Sequence, residues 1–202
     1  MKRFLLCFCI LWSACSQVAE KNTKQASEQT EPSPEKLEPS SQNETQATSF
    51  QQLLSNVSSQ KLPYTDSTNF DNFNKEDYLT KEQMRLLQLH KIYPEMDKEG
   101  FTLKAVLSYR LDLSVEYTTL VVIVFKGDHE MESQLINYDT QEQLIDHLTI
   151  SYDEIAEGWS RKESLVGKEK ITVTDILWME EKQVEITEYL LDTKGNINPV
   201  KS

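Results

Sequence analysis

Beyond position 15 the chain contains no cysteine. All three of its cysteines, Cys7, Cys9 and Cys15, fall within "LLCFCILWSACSQ", residues 5 to 17. That count excludes a disulfide framework, a cysteine zinc site and thiol catalysis from any folded domain downstream. An exported domain so built relies on its core alone. Glycine is also scarce, at five residues, and neither a glycine-rich phosphate loop nor a G-x-S-x-G stretch occurs. The histidines, His90, His129 and His147, show neither H-x-H nor H-x-x-x-H spacing, which argues against zinc. Positive charge is in deficit, with 21 Lys and Arg against 33 Asp and Glu for a net −12. Phosphate binding needs clustered cations, so nucleic acid and anionic membrane surfaces are disfavoured as partners. The apolar run Phe4 to Trp12 stops at about half of the roughly 20 residues a spanning helix requires.

What stands at the amino end has the layout of an export signal. Lys2 and Arg3 precede the apolar run, and the small residues Ser13 and Ala14 follow it. Leu11-Trp12-Ser13-Ala14-Cys15 resembles a bacterial lipobox, with Trp12 where that motif has leucine. The resemblance implies cleavage before Cys15, loss of Cys7 and Cys9 with the signal, and acylation of Cys15 as the membrane anchor. Ser16 then implies the outer membrane, and the absence of an acidic run in "SQVAE" implies its periplasmic side. Ordinary cleavage leaving a free thiol is the alternative, but Trp12 occupies a position that an A-x-A site reserves for a small residue.

Residues 16 to 49 hold no aromatic side chain and only Val18 and Leu37 as large aliphatics. Such a segment cannot bury enough apolar area to offset chain entropy, so it reads as a disordered tether. A partner-recognition segment is the functional alternative. Within the next stretch, Phe50, Leu53, Leu54 and Val57 have helical spacing and fit a short helix that docks or stays loose. The expected organisation is a signal peptide at 1–14, an acylated cysteine and polar tether at 15–60, and a globular domain at 61–202.

In that domain "LTKEQMRLLQLHKIY" reads as a helix, with Thr80 as N-cap, Gln83 completing a capping box, and Pro94 as the stop. After Gly100 the period changes to two. Phe101, Leu103, Ala105, Leu107, Tyr109, Leu111 and Leu113 alternate with Thr102, Lys104, Val106, Ser108, Arg110 and Asp112, which predicts a strand with one buried face. "YTTLVVIVFKG" is apolar on both faces and predicts a central strand covered on each side. Further strand segments follow at spacings too short for crossover helices. "YDTQEQLI" and "LDTKGNI" look like one turn design used twice. The expected class is α+β, predominantly β, with an N-terminal helix packed on an antiparallel meander of about seven strands.

Few residues invite a chemical role. Asp128, Glu130 and Glu132 are spaced for one strand face and fit a solvated face better than a cation site. Asp146 cannot readily orient its neighbour His147, because adjacent strand residues point to opposite faces. The segment "SYDEIAEGWSRKES" stands apart by joining aromatics to both charge signs. Its Tyr152, Asp153, Glu154, Glu157, Trp159 and Arg161 form the candidate binding surface; a strand start with Trp159 packed inward and a solvated loop is the plainer account. "DST" at 66–68 resembles a Bacteroidota-type O-glycosylation sequon, with Ser67 as acceptor. No metal, cofactor or catalytic residue is expected.

Lipobox, Ser/Gln/Glu-rich tether and compact β domain together resemble small outer-envelope lipoproteins of Bacteroidota-type bacteria. "LPYTDSTNFDNF" and "INYDTQEQLIDHLTISYDEIAEGW" carry that likeness. It implies a non-catalytic envelope protein, held to the membrane by lipid, whose domain binds an envelope protein or a glycan. The alternative is a periplasmic carrier holding an apolar ligand.

Overall fold

A computed structural model describes residues 48–74, 77–155 and 159–201. Strands dominate it. They are β1 (Ser59–Gln60), β2 (Tyr64–Asp66), β3 (Leu103–Leu111), β4 (Thr118–Lys126), β5 (Glu130–Tyr138), β6 (Leu144–Glu154), β7 (Ser160–Val166), β8 (Lys170–Trp178), β9 (Lys182–Leu191) and β10 (Ile197–Pro199). The strand count is therefore ten, above the expected seven. Strands β3 to β10 run as an antiparallel meander; β1 adds in parallel to β3, and β2 pairs with β7. The two added strands are short and precede the meander, where alternation over two or three residues carries no periodic signal.

The helices are short as well. Helix α1 (Phe50–Ser55) starts in a capping box between Ser49 and Gln52, and α2 (Lys81–Leu86) in one between Thr80 and Gln83. The single helix expected over residues 79–93 is interrupted: Gln88 is left-handed, and α3 (Leu89–Ile92) begins after it. Three bonds from the Gln88 side chain hold that break. It donates to Glu142 O at 2.6 Å and accepts from Leu144 N at 3.1 Å and Lys91 Nζ at 2.6 Å. Tertiary bonds thus override the helical run. Phe50 and Leu53 are core residues and Phe50 meets the Tyr138 ring edge-on, so folded structure begins before the expected boundary at 61.

Three layers result. Leu120, Val122 and Val124 of β4, with Ile136 and Tyr138 of β5, form a core under α1, α2 and α3. The alternate residues Val121 and Leu135 pack on the opposite face against Val166, Ile171 and Val173 of β7 and β8. Strand β4 is thus buried on both faces, and burying each such side chain contributes about 1.5–3 kcal/mol.

Strand β3 departs from its pattern. A bulge between Leu107 and Tyr109 shifts the register, so Leu107 lies opposite Val122 whereas Tyr109 lies opposite Val121. Leu103, Ala105 and Leu107 consequently face the helices, and Tyr109, Leu111 and Leu113 face the other layer. One extra residue turned an apparently one-sided strand into a two-sided one. Phe101 lies outside the strand and is exposed.

Two turns share one construction. Asp139 Oδ1 accepts from the amides of Gln141 and Gln143, and Asp192 Oδ1 accepts from those of Lys194 and Asn196. Glu142 and Gly195 supply the positive φ of 62° and 90°. Gly195 is tightly placed, since a Cβ there would lie 3.1 Å from both Ile145 and Tyr117.

Candidate binding surface

The segment singled out by composition straddles the β6–β7 connection. Here the sheet is barely joined: Tyr152 pairs with Lys162 and Asp153 with Arg161, and no further rungs link these strands. Strand β2 takes over the rest of β7, from Ser164 to Val166.

Asp153 and Arg161 have structural partners. Asp153 Oδ2 accepts the Phe70 amide at 2.9 Å, and Arg161 makes a long 3.5 Å contact to the Ser67 carbonyl while pairing with Glu163 at 3.0 Å. Both therefore fix the 67–73 loop to the sheet. The same carbonyl of Ser67 accepts from the side chains of Asn69 and Asn72. Asp66, beside it, is buried, accepting from the Tyr109 hydroxyl at 2.6 Å and the Thr68 amide at 2.9 Å. Ser67 itself is half-buried.

Tyr152 and Glu154 belong to a polar cluster on neighbouring strands. The Tyr152 hydroxyl lies 3.4 Å from Glu154, and Glu130 lies directly opposite Glu154. Burial, with Glu130 and Glu154 nearby, pushes the Tyr152 phenol up to about 12. Glu132 is not on a solvated face as its spacing suggested. It is 6% exposed, accepts from the Tyr93 hydroxyl and pairs with Lys126 at 3.0 Å. Burial first, then the Glu132 charge, raises the Tyr93 phenol far above its ordinary range. Asp128 pairs with Lys104 in the β4–β5 turn region.

Asp146 does not orient His147. Its Oδ1 accepts the His147 backbone amide and its Oδ2 accepts the Ile197 amide, which ties β10 to β6. Among the described residues, no group of three His, Cys, Asp or Glu side chains is placed to hold a metal ion. No helix among them is long and apolar enough to cross a membrane.

Trp159 is the residue of the segment that reaches solvent as a large apolar group, at 51% exposure. It is not alone. The Trp178 amide donates to the Trp159 carbonyl at 2.7 Å, placing Trp178, 40% exposed, beside it on the next strand. Trp159, Trp178, Met179, Glu180, Glu181 and Gln183 line an open cleft of about 710 Å³. The Lys182 ammonium lies 6.0 Å from the Trp178 ring centroid, within reach of a cation–π contact. Trp178 and Met179 were not singled out in the sequence, because they lie some 20 residues from Trp159 and meet it only through the β7–β8 ladder. The signal was present: a Trp-Met pair running straight into Glu180-Glu181 puts large apolar groups at an exposed turn. Glu157 and Cys15 lie outside the described residues.

No family model matches the chain, and neither a curated protein nor a solved structure resembles it.

Proposed function

We propose that this is a non-catalytic envelope lipoprotein, anchored through acylated Cys15, whose β domain binds a partner protein or a glycan at the Trp159–Trp178 cleft. The observation that carries the proposal is the pair of exposed indoles held side by side over an open cleft with carboxylates on its rim. Aromatic side chains dominate interface energetics because each removes a large apolar area from water on contact, and an exposed apolar cluster marks a contact site. The polar, aromatic-free composition of the segment before α1 supports a spacer between the anchor and this domain.

The carrier alternative gains no comparable support. A carrier needs apolar residues facing space that a ligand would fill. Between the layers, Val121, Leu135, Ile150, Val166 and Ile171 instead pack against one another, each fully buried.

Two experiments test the two halves. Detergent phase partitioning reads the anchor: the expressed chain enters the detergent phase, and Cys15→Ser shifts it to the aqueous phase. Equal partitioning of both contradicts acylation. Native mass spectrometry of the Cys15→Ser chain reads the domain. A mass equal to the polypeptide is expected, whereas a co-purifying species of several hundred daltons that extracts into organic solvent contradicts the binding-surface proposal in favour of the carrier.

A further inference from the structure

Strand β9 is paired with β8 from Lys182 to Leu190, without a register shift. On its other side β10 covers Tyr189 to Leu191, with one more bond from Val200 to Glu188. Among the described residues nothing pairs with the outer side of Lys182 to Thr187.

Two bonds fix which groups point outward. Leu191 N donates to Glu169 O, across to β8, and Val200 N donates to Glu188 O, on the opposite side. Backbone groups alternate sides along an antiparallel strand. Odd-numbered residues of β9 therefore bond to β8, and Lys182, Val184 and Ile186 direct both N–H and C=O outward. Beside this open edge the Val184 and Ile186 side chains are 52% and 63% exposed. Natural edge strands are blunted by proline, bulges or charge. Between 182 and 187 there is neither proline nor bulge, Pro199 sits on β10, and the two charges present, Lys182 and Glu185, are of opposite sign.

We propose that this edge takes the same edge of a second copy of the chain, with the two β9 strands antiparallel about Val184. The outward backbone groups select that register. Centred on Val184, the pairing sets Lys182 opposite Ile186 of the second copy and Gln183 opposite Glu185, where the amide donates to the carboxylate. Every outward N–H and C=O of Lys182, Val184 and Ile186 then meets its counterpart. Centring on Gln183 would pair Lys182 with Val184 twice and leave the outward groups of Ile186 opposite Glu180, beyond the end of β9. Centring on Glu185 would oppose it to itself and require Glu188, whose carbonyl is already bonded to Val200. Like charges directly opposite destabilise a sheet. The open stretch is thus self-complementary in one register, and it ends where β10 begins. The dimer edge meets the tryptophan cleft at Gln183, which lines it, but the pairing does not depend on what the cleft binds.

Sedimentation velocity of the Cys15→Ser chain, from low to high micromolar concentration, tests it. The chain is expected to pass from monomer to dimer, and added salt is expected to strengthen the dimer by screening two chains of net charge −12. Val184→Pro removes an outward N–H without touching the β8 ladder and abolishes the dimer. Ile186→Lys does the same by charge, should the proline variant fail to fold. Leu165→Lys, at an exposed position on β7, leaves the dimer intact. A monomer at every concentration, or a dimer that survives Ile186→Lys in the folded state, overturns the proposal.

Discussion

The Trp178 amide donates to the Trp159 carbonyl at 2.7 Å, so one backbone bond brings two tryptophans together at the open end of the β7–β8 hairpin. Both rings are roughly half exposed, and the sheet loses little when either is removed. Trp159→Ala and Trp178→Ala are each expected to change stability by about 0.5 kcal/mol or less, as for exposed positions away from the core. Urea denaturation measures this. A loss of several kcal/mol would show that the indoles serve the fold instead.

Asp66 is a buried carboxylate without a cationic partner among its described bonds; the Tyr109 hydroxyl and the Thr68 amide satisfy it. Tyr109→Phe keeps the ring packed on Tyr64 and removes one donor. A buried acceptor left short of a donor costs about 1–3 kcal/mol. The expected result is a fall of that size in urea-derived stability, with the far-ultraviolet circular dichroism unchanged.

Tyr152 titrates late. Its phenol moves from an ordinary 10.0 to about 12 through burial and the carboxylates of Glu130 and Glu154. A raised folded-state value means the stabilisation is fully present below pH 10 and is lost as pH rises through about 12. Ultraviolet titration is expected to show a tyrosinate step near pH 12 that Tyr152→Phe removes. A difference between the chain and Tyr152→Phe that titrates at the ordinary value would contradict the described surroundings.

Asp192 shows the opposite sign. Bonds from Asn196, first the side chain and then the amide, followed by those of Lys194 and Gly195, hold its carboxyl below the ordinary 3.8. The turn it organises is thus favoured above that value and loosens as pH falls through the lower folded-state one. The Asn196 amide resonance is expected to titrate with a midpoint below 3.8, and Asp192→Ala abolishes the titration.

Local patterns in the sequence reached local structure and stopped where distant residues decide. The capping boxes at Ser49 and Thr80 form because their partners lie three residues away. The twin Asp turns likewise need only five consecutive residues. By contrast, Ser108 looks like any alternating position, and nothing local reveals that the register shifts there and sends Tyr109 to the opposite face. The helix break at Gln88 depends on Glu142 and Leu144, more than fifty residues onward. The candidate surface divides in the same way. Trp159 stood out by composition, although the plainer reading packed it inward and the structure leaves it half exposed. The bonds of Asp153 and Arg161 to the 67–73 loop, and the arrival of Trp178, depend on strand pairing across the fold.

The most direct test of the binding surface is site-specific photo-crosslinking in intact cells, with the photoreactive residue at Met179 and a control at exposed Lys98. One discrete adduct is expected from position 179, absent from position 98 and lost when Trp159→Ala and Trp178→Ala are combined. No adduct at 179, or an adduct indifferent to both tryptophans, would contradict the assignment of this cleft as the binding surface.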